Sequence, residues 1–144
     1  MQLRLLTMDD YNSIYALWSS TPGMGLRTLD DSNEGIERFL KRNPTTCFAA
    51  LNDMESIIGV ILCGHDGRRG YIYHMAVAPE CRRLGIGTML VVAALEALRQ
   101  EGIHKAALVA FSTNEAGNRF WESIGFSERK DLVYRNKVIF LENH

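Results

Sequence analysis

The sequence has no cysteine or histidine pattern that would hold a metal ion. Its three cysteines, Cys47, Cys63 and Cys81, are far apart, and none belongs to a Cys-x-x-Cys pair. An odd number of widely spaced cysteines also argues against a disulfide framework. The four histidines are equally scattered and match no metal-ligand spacing. We therefore expect reduced thiols and no metal.

The chain also lacks an excess of charge and a long apolar run. Its 16 Lys and Arg against 17 Asp and Glu give a formal net charge of −1, which offers no broad surface for nucleic acid or an anionic membrane. The longest apolar stretches are far shorter than the roughly 20 residues that cross a bilayer. Asp9 and Asp10 stand where a signal peptide would continue its apolar region. These absences predict a cytoplasmic protein without nucleic-acid or membrane partners.

What remains is the composition of one ordinary domain covering residues 1–144, with 47% hydrophobic residues and only 3 prolines. Strand and helix signals alternate from end to end without a repeat or a linker, which predicts a single α/β domain. A short helix is expected between the capping-box sequence at 31–34 and Pro44. The patterns predict further helices at 7–19, 85–100 and 114–123, and strands at 2–6, 47–51, 57–64, 70–77, 104–111, 126–134 and 137–141.

The most informative segment lies between the strand at 70–77 and the longest helix. The first turn of that helix has no acidic residue, although a helix N-terminus favours negative charge. Arg82 and Arg83 precede it, and Gly85 and Gly87 leave the backbone N–H groups accessible. This arrangement favours binding of a phosphate group, while a plain turn beside two solvated arginines is the alternative.

Two familiar phosphate motifs do not fit this segment. A P-loop requires Gly-Lys-Ser or Gly-Lys-Thr, which is absent. The dinucleotide fingerprint fails because Leu90 stands where the third glycine belongs and no acidic residue follows about 20 positions later. A different anion-binding loop is required.

The pattern Arg82-x-x-Gly85-x-Gly87, after Met75-Ala-Val77-Ala-Pro79, resembles the pyrophosphate loop of the GNAT superfamily of acyl-CoA-dependent N-acyltransferases. A second segment, Asn114-x-Ala116-x-x-x-Phe120-Trp121-x-x-x-Gly125-Phe126, resembles a later motif of that family. The resemblance is strongest over residues 70–126. It implies an α/β (α+β) fold with a bent mixed sheet of six to seven strands, about four flanking helices, and central parallel strands that splay apart around acetyl-CoA.

The resemblance also implies roles for individual residues. Backbone groups near Val77 would pair with the pantetheine arm and orient the thioester, and Asn114 would reach the same arm, although Asn114 is equally suited to cap its own helix. The implied acetyl-CoA-binding residues are Met75, Ala76, Val77, Arg82, Arg83, Leu84, Gly85, Ile86, Gly87, Thr88, Asn114 and Phe120.

Two residues depart from the family pattern. The strand at 70–77 has no acidic residue to act as a base, so Tyr71 or Tyr73 is expected to order a water, and His74 is interpreted as a packing residue rather than a base. Trp121 occupies the position where the family commonly has a tyrosine that protonates the leaving thiolate, and an indole cannot do this. Packing is the preferred role for Trp121. The candidate catalytic residues are Tyr71, Tyr73 and Trp121.

Acceptor specificity is expected to come from the early loop at 21–37, where an apolar and acidic rim is formed by Met24, Leu26, Arg27, Asp30, Asp31 and Glu34. An ordinary solvated loop is the simpler interpretation. The sequence thus predicts transfer of an acetyl group from acetyl-CoA to a primary amine of a small molecule or peptide by direct attack. The alternative is a non-catalytic sensor of acyl-CoA. A homodimer through the last two strands is also expected, because they would expose a sheet edge.

Overall fold

A computed structural model describes every residue from Met1 to His144 and contains a five-stranded mixed sheet. Adjacent strands are antiparallel from β1 to β4, whereas β5 is parallel to β4. The predicted antiparallel meander followed by a parallel pair is confirmed. In their order across the sheet, the strands are β1 (Gln2–Leu5), β2 (Phe48–Leu51), β3 (Ile57–His65), β4 (Gly70–Val77) and β5 (Ala106–Leu108).

Four α-helices flank the sheet, and all four were predicted from the spacing of apolar residues. Short 3-10 turns precede two of them, at Met8–Asp10 and Pro79–Cys81. No helix combines the length and the apolar character that crossing a membrane requires. The helices are α1 (Tyr11–Ser19), α2 (Asn33–Arg42), α3 (Ile86–Gln100) and α4 (Glu115–Ser123).

The sheet buries a hydrophobic cluster on each face. Helix α3 covers one face, and α1 and α2 cover the other. Strand β4 contributes to both clusters, so it is held between two layers of helices. The α3-side cluster includes Ile61, Ile72, Leu90, Val91 and Leu98. The α1-side cluster includes Ile14, Trp18, Ile36, Leu40, Val60 and Ala76.

Strands β4 and β5 separate soon after they pair. Their register joins only Gly70–Ile72 to Ala106–Leu108. From Tyr73 to Val77, the edge of β4 that faces away from β3 therefore has no neighbouring strand. This leaves backbone N–H and C=O groups on that edge available for other partners.

A β-bulge interrupts β4 next to this open edge. Cys63 of β3 faces Ile72, and the preceding Leu62 faces His74, so Tyr73 is the extra residue. A bulge increases the local twist and changes which way the following side chains point. The strand therefore turns at the position where it leaves β5.

The bulge overturns the strict alternation predicted for residues 71–76. Ile72 and Met75 both pack with the α3-side cluster, although they were predicted to lie on opposite faces. His74 lies against Trp18 on the α1 side of the sheet, where Ala76 is also buried. An extra residue in a strand reverses the orientation of everything after it, and no periodicity argument contains that information.

The predicted sheet of six to seven strands is wrong in number. Residues 126–144 form no strand, and β5 is much shorter than the predicted 104–111. Valine, isoleucine and aromatic residues favour strands only where a partner is in place. Here the edge of β5 is three residues long, and side chains such as Val133 and Ile139 stay exposed. The homodimer inferred from those strands stays a prediction.

Candidate functional site

We call residues Arg82–Thr88, which connect β4 to α3, the phosphate loop. Its backbone enters the left-handed region at Arg83, with a φ of 66°, and at Gly85, with a φ of 79°. Glycine adopts this conformation freely, whereas arginine does so with strain. Nothing lies within 4 Å of the position that a Cβ atom would occupy at Gly85. The loop is therefore open on this side.

Six backbone N–H groups of the phosphate loop lack acceptors in the chain. The six consecutive N–H groups from Arg83 to Thr88 donate to no acceptor in the chain, and the first backbone bond into α3 runs from Met89 N to Gly85 O at 3.1 Å. No side chain caps α3, and its first turn has no acidic residue. Unpaired donors and the helix dipole both favour an anion here.

The side chains of the phosphate loop point in different directions. Arg82 donates through Nε to the Val77 carbonyl oxygen at 3.4 Å, and Arg83 is exposed. Leu84 is also exposed, whereas Ile86 is buried in the α3-side cluster. The common feature of the loop is therefore its backbone.

Gly87 has a packing role in addition to any role in binding. A Cβ atom at this position would lie 3.3 Å from the Phe120 ring and 3.6 Å from the Met75 sulfur. The missing side chain therefore lets α3, α4 and β4 approach closely. Sequence reasoning identified Gly87 and Phe120 separately, and the structure brings them together.

Asn114 fulfils the capping role and keeps a free donor. Its Oδ1 accepts a hydrogen bond from Gly117 N at 3.1 Å, which caps α4. Its Nδ2 donates to no acceptor in the chain and lies 3.7 Å from the position of a Cβ atom at Gly23. The two roles suggested by the sequence are therefore compatible, because they use different atoms of one amide.

Tyr71 and Tyr73 lie together on β4 beside the bulge. Their ring centroids are 4.6 Å apart, and Phe39 of α2 stacks edge-on against Tyr73 at 5.4 Å. Burial raises the pKa of both phenols, and the nearby Tyr134 adds to the effect. Both tyrosines are therefore neutral hydrogen-bonding groups near pH 7 and not bases.

Trp121 occupies an aromatic cluster at the end of α4. It contacts Phe120 at 5.0 Å and Phe126 at 5.2 Å, both edge to face. Phe126 N donates to Trp121 O at 2.9 Å, which closes the end of the helix. These contacts agree with the packing role preferred from the sequence.

We call residues Thr21–Asp31 the acceptor loop. Gly25 has a φ of 66°, and a Cβ atom at this position would lie 3.4 Å from the Phe111 ring. The loop therefore reaches the segment between β5 and α4. Met24 packs against the α1-side cluster, so it is less available as a rim residue than the sequence suggested. Arg27 and Glu34 are exposed.

Sequence reasoning missed what holds the acceptor loop. The capping-box pattern predicted Asp31 as the N-cap of α2, but Ser32 takes that role and accepts from Gly35 N at 3.1 Å. The buried Asp31 carboxylate instead lies 2.8 Å from His74 Nε2 on β4. The only signal for this pair was an ionisable residue, His74, among apolar neighbours.

A second anchor comes from the C-terminal segment. Asn143 Oδ1 accepts from Leu29 N at 2.9 Å and from Asp30 N at 3.0 Å. Its Nδ2 donates to Asp30 Oδ2 at 2.8 Å. No sequence signal links residues so far apart in the chain.

Comparisons with known proteins identify the family to which the sequence is similar. The model of the acetyltransferase (GNAT) family matches residues 11–126. An acetyltransferase from Photorhabdus laumondii is 28% identical over 96% of each chain. Another from Pectobacterium atrosepticum is 29% identical over 95% of this chain and 94% of its own.

Solved structures share the fold at lower identity. Ard1 from Thermoplasma volcanium is 22% identical, covers 88% of this chain and 82% of its own, and superimposes with a TM-score of 0.74. An aminoglycoside 6'-N-acetyltransferase from Acinetobacter haemolyticus is 20% identical, covers 97% of this chain and 100% of its own, and has a TM-score of 0.71. The NatC complex bound to Gag peptide and CoA contains a chain that is 24% identical, covers 90% of this chain and 86% of its own, and has a TM-score of 0.75.

Proposed function

The chain belongs to the acetyltransferase (GNAT) family, whose members use acetyl-CoA, and we propose that it transfers the acetyl group to a primary amine by direct attack in a ternary complex. The single observation that carries this proposal is the run of unpaired N–H groups from Arg83 to Thr88. The first N–H groups of any helix lack intrahelical partners, and here the run extends three residues before α3, to Arg83, through left-handed conformations at Arg83 and Gly85.

The phosphate loop fits the pyrophosphate of CoA. Six open N–H groups, a first helical turn without acid and two exposed arginines all favour an anion of high charge. We assign the binding itself to the backbone, with Arg82 and Arg83 adding long-range attraction. Gly85 keeps the entrance free of side chains.

The open edge of β4 and the Asn114 amide would hold the pantetheine arm. Residues Met75–Val77 lie on the part of β4 that β5 has left, so their backbone groups can pair with an extended amide chain. Asn114 Nδ2 adds a donor from α4. Acetyl-CoA supplies a thioester carbonyl, and binding along this edge would hold that carbonyl about 3 Å from the attacking amine.

The chain provides hydrogen bonds rather than a strong base. No carboxylate lies on β4, and Tyr71 and Tyr73 stay protonated near pH 7, because the ordinary pKa of a phenol is about 10 and partial desolvation raises it further. We propose that the tyrosines order a water molecule that relays the proton of the amine to bulk solvent. A thiol resembling cysteine has a pKa of about 8.5, so CoA can leave as thiolate without Trp121 as an acid.

The acceptor is proposed to be a small amine or a peptide amine bound between the acceptor loop and the tyrosines of β4. Among the structural neighbours, one acts on an aminoglycoside and another is bound to a peptide. The exposed Arg27, Asp30 and Glu34 provide charges of both signs around this site.

Release of CoA from acetyl-CoA should be measured with spermidine, tyramine, an aminoglycoside and a peptide with a free N-terminus, and the products confirmed by mass spectrometry. We expect release that depends on at least one of these amines and a product heavier by one acetyl group. Absence of any acceptor-dependent release at saturating acetyl-CoA would contradict transfer and favour the acyl-CoA sensor.

A further inference from the structure

Asp31 and His74 form a buried polar pair that joins the acceptor loop to β4. Asp31 is 4% exposed and His74 is 9% exposed, and the distance from His74 Nε2 to Asp31 Oδ1 is 2.8 Å. An ionised carboxylate only accepts hydrogen bonds, so Nε2 carries a hydrogen and donates it. The pair connects residues that are 43 positions apart in the chain.

Asp31 is also the point where three elements meet. Its second oxygen, Oδ2, accepts from Arg27 N at 2.6 Å, which closes the end of the acceptor loop on itself. Its backbone carbonyl accepts from the Tyr11 hydroxyl at 2.7 Å, which ties the same residue to α1. Loss of the His74 bond would therefore release one side of a compact junction.

His74 lies at a sensitive position on β4. It follows Tyr73, the extra residue of the bulge, and precedes Met75, the first residue of the proposed pantetheine site on the open edge. A loop fixed to His74 is therefore fixed relative to the two tyrosines and to the proposed reacting groups. A loop released from His74 would move its own contacts with the acceptor amine, while the tyrosines and the open edge stay in place on β4.

The surroundings of His74 are not those of an optimised packing residue. Its Nδ1 has no hydrogen-bond partner, and neither does Nε1 of Trp18, whose ring lies 4.9 Å away and crosses at 64°. A buried polar pair often stabilises a protein less than well-packed apolar side chains of similar volume, and here the pair leaves Nδ1 of His74 unsatisfied. The polar pair therefore points to a requirement other than stability.

We propose that the Asp31–His74 pair positions the acceptor loop on β4 and thereby determines the affinity for the acceptor amine. This inference rests on the proposed function. Asp31 and His74 are positioning residues, because they act through the loop and the strand and not on the reacting atoms. We expect acetyl-CoA binding to be retained without the pair, because the phosphate loop follows the end of β4 and presents its own backbone N–H groups.

The test compares His74→Leu, which removes the donor, with His74→Gln, which keeps an N–H group near the position of Nε2. Arg4→Leu is the matched control. Arg4 lies on β1, at the far edge of the sheet, and pairs with the buried Asp10 at 2.8 Å, so this variant breaks a comparable pair away from the site. Kinetics use whichever amine of the panel has the highest kcat/KM. The melting-temperature shift with acetyl-CoA is measured for each variant.

We expect His74→Leu to raise the acceptor KM about tenfold while kcat changes less than about threefold and the acetyl-CoA shift is retained. His74→Gln should restore most of the loss, and Arg4→Leu should lower the melting temperature without changing KM. An acceptor KM for His74→Leu within about twofold of the natural protein, or an equal rise in Arg4→Leu, would overturn the proposal.

Amide hydrogen exchange gives a second readout that does not require turnover. In His74→Leu, the N–H of Arg27 and its neighbours in the acceptor loop should exchange at least about tenfold faster than in Arg4→Leu. If His74→Leu does not fold, His74→Phe replaces it, because its ring keeps the aromatic contact with Trp18 and carries no N–H donor. Unchanged exchange in the acceptor loop of His74→Leu would overturn the proposal, whether or not any amine of the panel is acetylated. Failure to acetylate every amine would instead contradict the proposed function.

Discussion

The phosphate loop and the acceptor loop flank the same strand and are built in different ways. The phosphate loop, Arg82–Thr88, presents backbone N–H groups and depends on glycine conformations and on the absence of acid. The acceptor loop, Thr21–Asp31, is held by side chains, above all Asp31 with His74 and Asn143 with Asp30. A site built from backbone groups should keep its affinity through many side-chain substitutions and lose it when a negative charge or a changed φ is introduced. A loop held by side chains should lose its position when one of those few residues is replaced.

The largest effect is expected from a negative charge placed in the phosphate loop. Gly85→Glu and Gly102→Glu form a matched pair, because these glycines have φ values of 79° and 78°, lie near opposite ends of α3 and have open space around them. Both variants should lose about 1 kcal/mol of stability to the left-handed backbone.

The two variants should differ in their response to acetyl-CoA, measured as a melting shift. At 100 times the dissociation constant a ligand of the native state stabilises by about 2.7 kcal/mol. Gly85→Glu should lose most of this, because its carboxylate occupies and repels the anion position, and Gly102→Glu should keep it. Equal shifts in the two variants would show that the loop does not bind the anion.

Asn114→Asp separates the two roles of one side chain. The carboxylate keeps an oxygen that caps α4 through Gly117 N, but it removes the Nδ2 donor. We expect an unchanged melting temperature and acetyl-CoA affinity lower by about tenfold, as for loss of one hydrogen bond at a binding site. Isothermal titration measures the affinity. A retained affinity would mean that only the cap matters at this position.

Trp121→Phe should have a modest effect, because it preserves an aromatic ring against Phe126 and deletes only the indole N–H. General acids contribute about 10²- to 10⁴-fold to a rate, so a loss of tenfold or less in kcat would agree with a mechanism that lacks one. A loss above about a hundredfold, with the melting temperature and acetyl-CoA affinity intact, would show that the N–H group is essential.

The smallest effect concerns the outer anchor of the acceptor loop. Asn143→Ala removes three hydrogen bonds to Leu29 and Asp30, but these are exposed and water can replace them. The acceptor KM should rise about threefold, without a change in acetyl-CoA binding. Glu142→Ala, at the exposed neighbouring position, is the control. An effect as large as that of His74→Leu would mean that the two anchors are equivalent.

The same contrast explains which parts of the molecule the sequence could predict. The four helices follow from local periodicity, and the phosphate loop follows from Arg82, Gly85, Gly87 and the missing acid, all within a few residues. The acceptor loop depends on contacts across 43 positions, from Asp31 to His74, and 113 positions, from Asp30 to Asn143. No local pattern records such contacts.

The errors in the predicted fold have the same origin. The bulge at Tyr73 is defined by its pairing with β3 and reversed the orientation inferred for His74 and Met75. Residues 126–144 have strand-forming side chains but no strand beside them. Asp31 fitted a helix cap in the sequence, but its two oxygens bond His74 Nε2 and Arg27 N, and Ser32 caps α2 instead. In each case strand pairing or a long-range contact determines the local structure.

Amide hydrogen exchange across the phosphate loop shows whether its backbone N–H groups bind acetyl-CoA. In the free protein the N–H groups of residues 83–88 donate to no acceptor, so they should exchange nearly as fast as in an unfolded chain. With saturating acetyl-CoA, we predict strong protection of these six amides, and no comparable change in the acceptor loop. Exchange that stays fast at residues 83–88 while acetyl-CoA is demonstrably bound would contradict the account.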